Sequence, residues 1–173
     1  GDVESAWSQC DAIVERSYRI PHVQHVPIET HVAVAKVEEN GKIKVWASSQ
    51  SPFAQRNLIA KAMGIDQSNV EVIAPYVGGG FGCKAGVSME ALAVAIASKV
   101  KGRPVKLRLT REEEFHTAFV RQCLVAHIKM GCDAQGQLLA LETQYYWDAG
   151  AYTEYGVNIT RAAGYSSTGQ AAP

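Results

Sequence analysis

A run of glycines near the middle of the chain is the stretch best suited to hold a ligand. Residues 77–84 are Val-Gly-Gly-Gly-Phe-Gly-Cys-Lys, with a strand-like segment before them at 69–74 and a helix-like segment after them at 87–101. Because glycine loses the most backbone freedom on folding, such a run is kept where the chain turns sharply or where its backbone approaches a ligand. Unpaired N–H groups beside a helix N-terminus suit an anionic cofactor.

The glycine spacing does not by itself select one ligand. A P-loop needs its lysine directly after the last glycine, whereas Cys83 separates Gly82 from Lys84 here. The dinucleotide fingerprint is met only loosely, by Gly80, Gly82 and Ala85, and no acidic residue lies about twenty positions further on. A cofactor site, a nucleotide-binding module and a glycine-rich turn without a ligand therefore all stay open.

The composition restricts the partners of the chain. Its 173 residues include 17 basic and 17 acidic side chains, so no bulk charge attracts nucleic acid or an anionic membrane. The length and the 47% hydrophobic content predict one globular domain over residues 1–173. No apolar run reaches the length of a membrane span, and no signal-peptide pattern opens the sequence. We therefore expect a cytoplasmic protein without a nucleic-acid or membrane partner.

Cysteine and histidine spacing does not predict a metal site. Four cysteines occur without a C-x-x-C pair, at Cys10, Cys83, Cys123 and Cys132. Free thiols are therefore expected rather than zinc or iron–sulfur ligation. His22, His25 and His31 lie close together with Glu29 between them, but nothing else there resembles a ligand set. We expect these residues to be polar bystanders or satisfied interior groups.

Hydrophobic patterning predicts the elements that position the glycine loop. Strands are expected at 11–20, 31–38, 42–48, 69–74, 104–110, 122–131 and 137–148, and helices at 51–64 and 87–101. Asn40-Gly41 predicts a hairpin turn between the second and third strands. Ser51 is the expected N-cap of the first helix, Pro52 its first residue and Gly64 its end.

Each helix is expected to bury one apolar face. In the first helix this face consists of Phe53, Leu58, Ile59, Ala62 and Met63. In the second it consists of Met89, Leu92, Ala93, Ile96 and Val100. The second helix is so apolar that we expect burial on several sides. Truncation of Leu92 or Ile96 to alanine should then cost about 2–5 kcal/mol of stability.

The order of the elements predicts a site at one rim of a sheet. If the strands at 42–48, 69–74 and 104–110 share a sheet, right-handed crossovers make them parallel. Ligands of such sheets lie beyond the carboxyl ends of the strands, where Gln50, the glycine loop and segment 111–121 would meet. The expected fold is α+β, with a mixed sheet, a β-α-β-α-β core, two helices and a long antiparallel hairpin.

Four motifs in this order resemble those of the molybdenum hydroxylases, the family of xanthine dehydrogenase and aldehyde oxidase. They are SSQSP at 48–52, GGGFGCK at 78–84, RPVK at 103–106 with TREE at 110–113, and DAGAY at 148–152. His25 to Glu29 is also similar to a family His-x-x-(Met/Leu)-Glu pattern. Together these motifs cover most of the chain and are far more specific than the glycines alone. The chain thus resembles the N-terminal part of a molybdopterin-binding subunit or domain.

The resemblance implies a molybdopterin cofactor, which would serve hydroxylation of an N-heterocycle or an aldehyde with water-derived oxygen. Gln50 matches the family glutamine that hydrogen-bonds near the molybdenum oxo ligand. The segment whose backbone approaches the metal centre matches Gly79, Gly80, Phe81 and Gly82. Arg121 falls where purine-hydroxylating members often place a substrate-orienting arginine, although a lone arginine before a strand is usually a solvated charge.

The chain also departs from the family pattern. Ala85 stands where many members carry a glutamate that orients purines, so xanthine is not the expected substrate. The family's general-base glutamate, later pterin-binding segments, and modules for [2Fe-2S] and FAD do not match this chain. We therefore expect a fragment that is inactive alone and that works with the remaining molybdenum-domain segments and with iron–sulfur and FAD subunits or domains. The alternatives are a folded fragment that binds nothing alone and a nucleotide-binding module, which lacks its acidic ribose partner.

Overall fold

The computed structural model describes residues 1–100, 102–151 and 155–168. The helices are α1 (Val3–Trp7), α2 (Pro52–Met63), α3 (Glu90–Ala97), α4 (Arg111–Thr117) and α5 (Gly156–Thr168). The strands are β1 (Ala12–Ile20), β2 (Val23–Gln24), β3 (Val32–Val37), β4 (Ile43–Ala47), β5 (Val70–Ile73), β6 (Val105–Arg108), β7 (Val120–Arg121), β8 (Cys123–Cys132) and β9 (Leu138–Asp148). These elements form two compact units, Gln24–Val120 and the combination of Gly1–Val23 with Arg121–Pro173. A single domain over 1–173 stays a prediction.

A four-stranded mixed sheet organises the unit Gln24–Val120. Its strand order is β5-β4-β3-β6. β4 and β5 are parallel, while β3 is antiparallel to both β4 and β6. β4, β5 and β6 therefore run in the same direction, and their carboxyl ends lie on the same side of the sheet. This confirms the predicted α+β fold and its β-α-β-α-β core, with β3 inserted between β4 and β6.

The core of this unit lies between the sheet and the two helices that connect its parallel strands. Burial alternates along β3 and β4, so every second side chain of these strands faces the helices. The buried cluster contains Ala33, Ala35, Val37, Ile43, Val45, Ala47, Ile59, Ala60, Val70, Ala93, Val94 and Ala97. Five of these residues are alanines on β3, β4 and α3, which allow the helix backbone to approach the sheet closely.

The first predicted helix has the expected ends but only part of the expected face. α2 begins at Pro52 after the N-cap and ends at Gly64, which has a left-handed φ of 66°. Ile59 is fully buried, whereas Phe53 is 75% exposed and Leu58 is 43% exposed. The prediction that Phe53 and Leu58 face the core was wrong, as it was for the exposed Ala62. The buried position on that face is instead held by a polar residue, Gln55.

The second predicted helix is shorter than expected. α3 spans Glu90–Ala97 rather than 87–101; residue 101 lies outside the described part of the chain. The Glu90 carboxylate accepts hydrogen bonds from the N–H of Ser88 at 2.8 Å and from Nε2 of Gln55 at 3.1 Å. Gln55 Nε2 also donates to the carbonyl of Gly86 at 2.8 Å. These bonds hold 86–88 as a loop packed on α2, so the helix begins only after it.

Only part of the face that the hydrophobic pattern suggested for the second helix is buried, namely Met89 and Ala93. Ala93, Val94 and Ala97 have no exposed surface, whereas Leu92 is 57% exposed and Ile96 is 39% exposed. Val100 is exposed as well. The prediction that Leu92 and Ile96 are buried was therefore wrong. In a helix that is apolar all round, periodicity does not identify the contact face, and the alanine-lined sheet selects the smallest side chains.

The other unit contains an antiparallel sheet of order β1-β8-β9. Cys123 pairs with Asp148 in the hairpin of β8 and β9, and Ala12 pairs with Cys132 between β1 and β8. The long hairpin is thereby confirmed. The expected fold has two helices, whereas the described residues contain three more: α1, which begins after an Asp2 N-cap, α4, and α5, which runs to Thr168. Within the described residues, no helix has the length and hydropathy needed to cross a membrane.

Candidate functional site

Two glycines of the loop are required because neighbouring side chains occupy the place of a Cβ. At Gly78 a Cβ would lie 2.5 Å from the Cβ of Glu29. At Gly80 it would lie 2.6 Å from Cδ of Gln50. Both distances are shorter than carbon–carbon contacts in proteins. These glycines therefore allow Glu29 and Gln50 to pack directly against the loop backbone.

The other two loop glycines are required by backbone conformation. Gly79 has a φ of 97° and Gly82 a φ of 105°, a region that residues with side chains rarely enter. Phe81, between them, also has a positive φ of 56°, and its side chain is 71% exposed. The loop thus turns sharply at 79–82 and presents the Phe81 ring to solvent. Left-handed φ values in a non-glycine residue are a form of strain that is concentrated at binding sites.

Gln50 holds the loop through its side-chain oxygen. Oε1 accepts hydrogen bonds from the N–H of Gly82 at 2.9 Å and from the N–H of Lys84 at 3.3 Å. The N–H of Gln50 in turn donates to the Lys84 carbonyl at 3.0 Å. Because backbone N–H groups can only donate, the side-chain atom that faces them must be the oxygen. The Nε2 amide group faces elsewhere and has no hydrogen-bond partner among the described residues, so it is a free donor.

The apex of the loop carries three consecutive backbone donors without an acceptor. The flanking groups are paired, since the N–H of Gly78 donates to Glu29 and that of Cys83 donates to the Gly80 carbonyl. Among the described residues, no hydrogen-bond acceptor meets the N–H of Gly79, Gly80 or Phe81. Successive N–H groups in such a turn form a concave site for an anion. This donor set suits the oxygen acceptors of an anionic cofactor such as molybdopterin, and α3 contributes nothing to it because that helix begins later.

A buried lysine lies beneath the loop. Lys84 has no exposed surface, and its Nζ donates to the Glu29 carbonyl at 2.7 Å, to Glu29 Oε2 at 2.9 Å and to Ser48 Oγ at 2.8 Å. The Ser48 hydroxyl also donates to the Glu29 carboxylate. Burial acts to raise the pKa of Glu29, but hydrogen bonds from Ser48, Lys84 and the Gly78 N–H, together with the positive charge of Lys84, lower this pKa below its usual value overall. Glu29 is therefore an anion at neutral pH.

A buried histidine and glutamate link the loop to α4. His31 Nδ1 lies 2.8 Å from Glu114 Oε1, and His31 Nε2 lies 3.0 Å from the Cys83 carbonyl oxygen. The His31 N–H donates to Glu114 Oε2 at 2.9 Å. Because a carbonyl oxygen only accepts, Nε2 carries a proton, and a second proton lies between Nδ1 and the carboxyl group. His31 is therefore an interior residue with its hydrogen bonds satisfied, as predicted. Through Glu114, α4, which follows the third of the parallel strands, is connected to the loop.

The same three residues do not have the state expected of metal ligands. The ligand atoms of His31, Cys83 and Glu114 lie within 4.8 Å of one another. However, both ring nitrogens of the histidine are hydrogen-bonded, and Cys83 Sγ donates to the Gly80 carbonyl at 3.0 Å. Burial raises the pKa of the Cys83 thiol, and the charge of Glu114 adds to this effect. The thiol is therefore protonated, and the group serves as a hydrogen-bonded support for the loop.

The sequence motifs thus come together only in part. Gln50 and residues 78–84 meet at one rim of the sheet, as predicted from the strand ends. Glu29, Lys84, His31 and Glu114 were not predicted as a support, although Glu29 and Lys84 both belong to the motifs that carry the resemblance. Arg121 is exposed and belongs to the other compact unit. Its role toward a substrate stays a prediction.

Comparison with known proteins places this chain in a protein family. A family model described as molybdopterin cofactor-binding domain matches residues 1–170. The chain is 34% identical over 164 residues to a putative xanthine dehydrogenase molybdenum-binding subunit of Escherichia coli strain K12, covering 95% of this chain and 22% of that protein. It is 34% identical over 163 residues to the nicotinate dehydrogenase large molybdopterin subunit of Eubacterium barkeri, covering 94% and 38%.

Among solved structures, the chain is similar to the aldehyde oxidoreductase from Desulfovibrio gigas. The TM-score is 0.83 at 29% sequence identity, and the match covers 92% of this chain and 18% of that one. In each of these three comparisons the chain spans less than half the length of the protein that it matches.

Proposed function

The chain belongs to the molybdopterin cofactor-binding domain family, and on that premise we propose that it forms one wall of the cofactor site in a molybdenum hydroxylase. The observation that carries the proposal is the unpaired donor set at the loop. Three backbone N–H groups at 79–81 and the free Nε2 of Gln50 are held on one rim by bonds among the residues that support them. A preorganised group of donors binds oxygen anions strongly, because it needs no reorganisation.

Each residue of this wall has a proposed part in holding the cofactor. The backbone of Gly79, Gly80, Phe81 and Gly82 would hydrogen-bond the oxygen acceptors of molybdopterin, and the Gln50 amide would donate near the metal. The cofactor supplies the redox chemistry when it is bound. The protein groups bind it, orient it and exclude water. Arg121 would orient a substrate. An increased KM in an Arg121→Ala enzyme would support that role, with Arg19→Ala as the control, because Arg19 is an exposed arginine of the same unit.

The reaction of the complete protein is proposed to be hydroxylation of an N-heterocycle or an aldehyde. The named relatives include both a nicotinate dehydrogenase and an aldehyde oxidoreductase, so the substrate class stays open between them. We expect the general base, further pterin contacts, [2Fe-2S] clusters and FAD on other segments, domains or subunits, and the 173-residue chain alone to be inactive. A cytoplasmic location also stays a prediction.

An isosteric substitution at Gln50 tests the cofactor proposal. In Gln50→Glu, one carboxylate oxygen still accepts from Gly82 and Lys84, but the free donor becomes an acceptor that repels the oxygens of the cofactor. Gln67→Glu is the matched control, because it adds the same charge at an exposed position of the same unit. The experiment uses the intact protein that contains this chain, and measures molybdenum per protein by mass spectrometry together with thermal stability.

We expect Gln50→Glu to fold as the parent protein does and to contain about tenfold less molybdenum per protein, or lower still. The reason is that the variant loses a charge-assisted hydrogen bond to the cofactor and adds a repulsion. Gln67→Glu should keep its molybdenum. Full molybdenum content in Gln50→Glu would contradict the proposal. Mass spectrometry of the small molecule released from the parent protein separates a pterin from a nucleotide, and a nucleotide would support the competing function.

A further inference from the structure

We propose that Lys84 and Glu29 are positioning residues, which close the glycine loop with one ion pair and thereby hold the three unpaired N–H donors in place. This inference rests on the proposed function, because it concerns the same donors. It adds two side chains that act through the backbone between them. Neither a metal nor a substrate contact is assigned to them.

The geometry at Gly78 shows how the carboxylate holds one end of the loop. Glu29 Oε2 accepts from the Gly78 N–H at 2.8 Å, and the Glu29 N–H donates to the Gly78 carbonyl at 3.1 Å. Gly78 is therefore bonded through both its backbone groups to one residue. This approach is possible only because Gly78 has no Cβ. A Cβ at that position would lie 2.5 Å from the Cβ of Glu29. The residue that follows Gly78 carries the first unpaired N–H.

The other end of the loop is held by the same carboxylate through Lys84. The Lys84 ammonium donates to Glu29 Oε2 at 2.9 Å, the oxygen that also binds the Gly78 N–H. Residues 78 and 84 are thus connected through one atom, and the segment between them is closed like a ring. Lys84 is fully buried, while about a third of the Glu29 side chain is exposed. The cation therefore depends on this carboxylate as its only charged partner among the described residues.

The ion pair differs in kind from a packing contact. A buried lysine without its anion is costly, whereas removal of both charges together leaves no uncompensated group. Apolar replacements of both residues should therefore restore folding, but they remove the side-chain acceptor of the Gly78 N–H and its connection to residue 84. The comparison of single and double variants separates the loop geometry from the general stability of the domain.

The experiment uses the intact protein that contains this chain, purified with and without a supply of molybdenum. The variants are Glu29→Met, Lys84→Met and the double variant, because methionine offers no oxygen to the Gly78 N–H. The matched control is Lys36→Met, which removes a lysine of the same unit that is about a third exposed and pairs with Glu38. Hydrogen exchange by mass spectrometry measures the peptide that covers 77–84 and, as an internal reference, a peptide from β3 and β4. Molybdenum content is measured on the same preparations.

We expect the double variant to fold and to protect β3 and β4 as the parent does, while the loop peptide exchanges at least tenfold faster and the molybdenum content falls. The control should change neither quantity. Normal loop protection and full molybdenum in the double variant would overturn the inference, even if both single variants fail to fold. The Gln50→Glu variant distinguishes the two proposals. If Gln50→Glu loses molybdenum while the double variant keeps it in full, the proposed cofactor site is supported and only the positioning role is contradicted.

Discussion

Two regions of the unit Gln24–Val120 invert the usual distribution of polarity. Around the glycine loop, charged side chains are buried: Lys84, Glu114 and the ring of His31 have almost no exposed surface. On α2 and α3, large apolar side chains such as Phe53 and Leu92 are mostly exposed. Charged groups are buried only where partners compensate them. The charged side chains near the loop are buried because hydrogen bonds compensate them. The large apolar side chains of the helices are exposed because small side chains occupy the face that packs against the sheet.

The largest effect that we expect is from the buried pair beside the loop. Glu114→Ala leaves the His31 ring and its backbone N–H without their acceptor, and breaking such a pair costs about 3–5 kcal/mol. Glu112→Ala is the control, because Glu112 is exposed two residues earlier on the same helix and should cost less than about 0.5 kcal/mol. Chemical denaturation of the 173-residue chain measures both. Equal losses in the two variants would mean that the buried pair does not support the loop.

A smaller effect separates the two faces of α2 at adjacent positions. Ile59 is fully buried and Leu58 is 43% exposed. Alanine has the highest helix propensity, so neither substitution by alanine costs helix propensity. Ile59→Ala should lower the free energy of unfolding by about 2–5 kcal/mol. Leu58→Ala should lower it by less than about 1 kcal/mol. If denaturation curves of the two variants coincide, the assignment of the contact face is wrong.

The smallest effect is expected on the exposed face of α3. Leu92→Ala in the 173-residue chain should change the free energy of unfolding by about 0.5 kcal/mol or less, because more than half of Leu92 is in solvent. Val94→Ala, at a fully buried position two residues later, should cost about 1–3 kcal/mol. The free energy of unfolding of Leu92→Ala is then also measured in the intact protein. A larger loss there would show that another segment covers this face.

Local features of the sequence were sufficient for most elements of the fold. Pro52 at the first helical position and the left-handed Gly64 set the ends of α2, since both act through the conformation of neighbouring residues. Asn40 and Gly41 set the hairpin between β3 and β4. The predicted start of α3 was too early. A hydrogen bond between Gln55 and Glu90, 35 residues apart in the chain, holds the residues before the helix as a loop.

Local sequence signals were sufficient to predict the order of the elements and the rim at which Gln50 meets the glycine loop. Strand, helix and turn signals are short-range, and parallel strands bring their carboxyl ends together whatever lies between them. Tertiary structure alone decided which groups support that loop. Lys84 meets Glu29 across 55 residues and His31 meets Glu114 across 83, because β3 is inserted beside β4 and β6. Side chains pair across such distances according to the order of the strands in the sheet, β5-β4-β3-β6, which short-range signals along the chain do not encode.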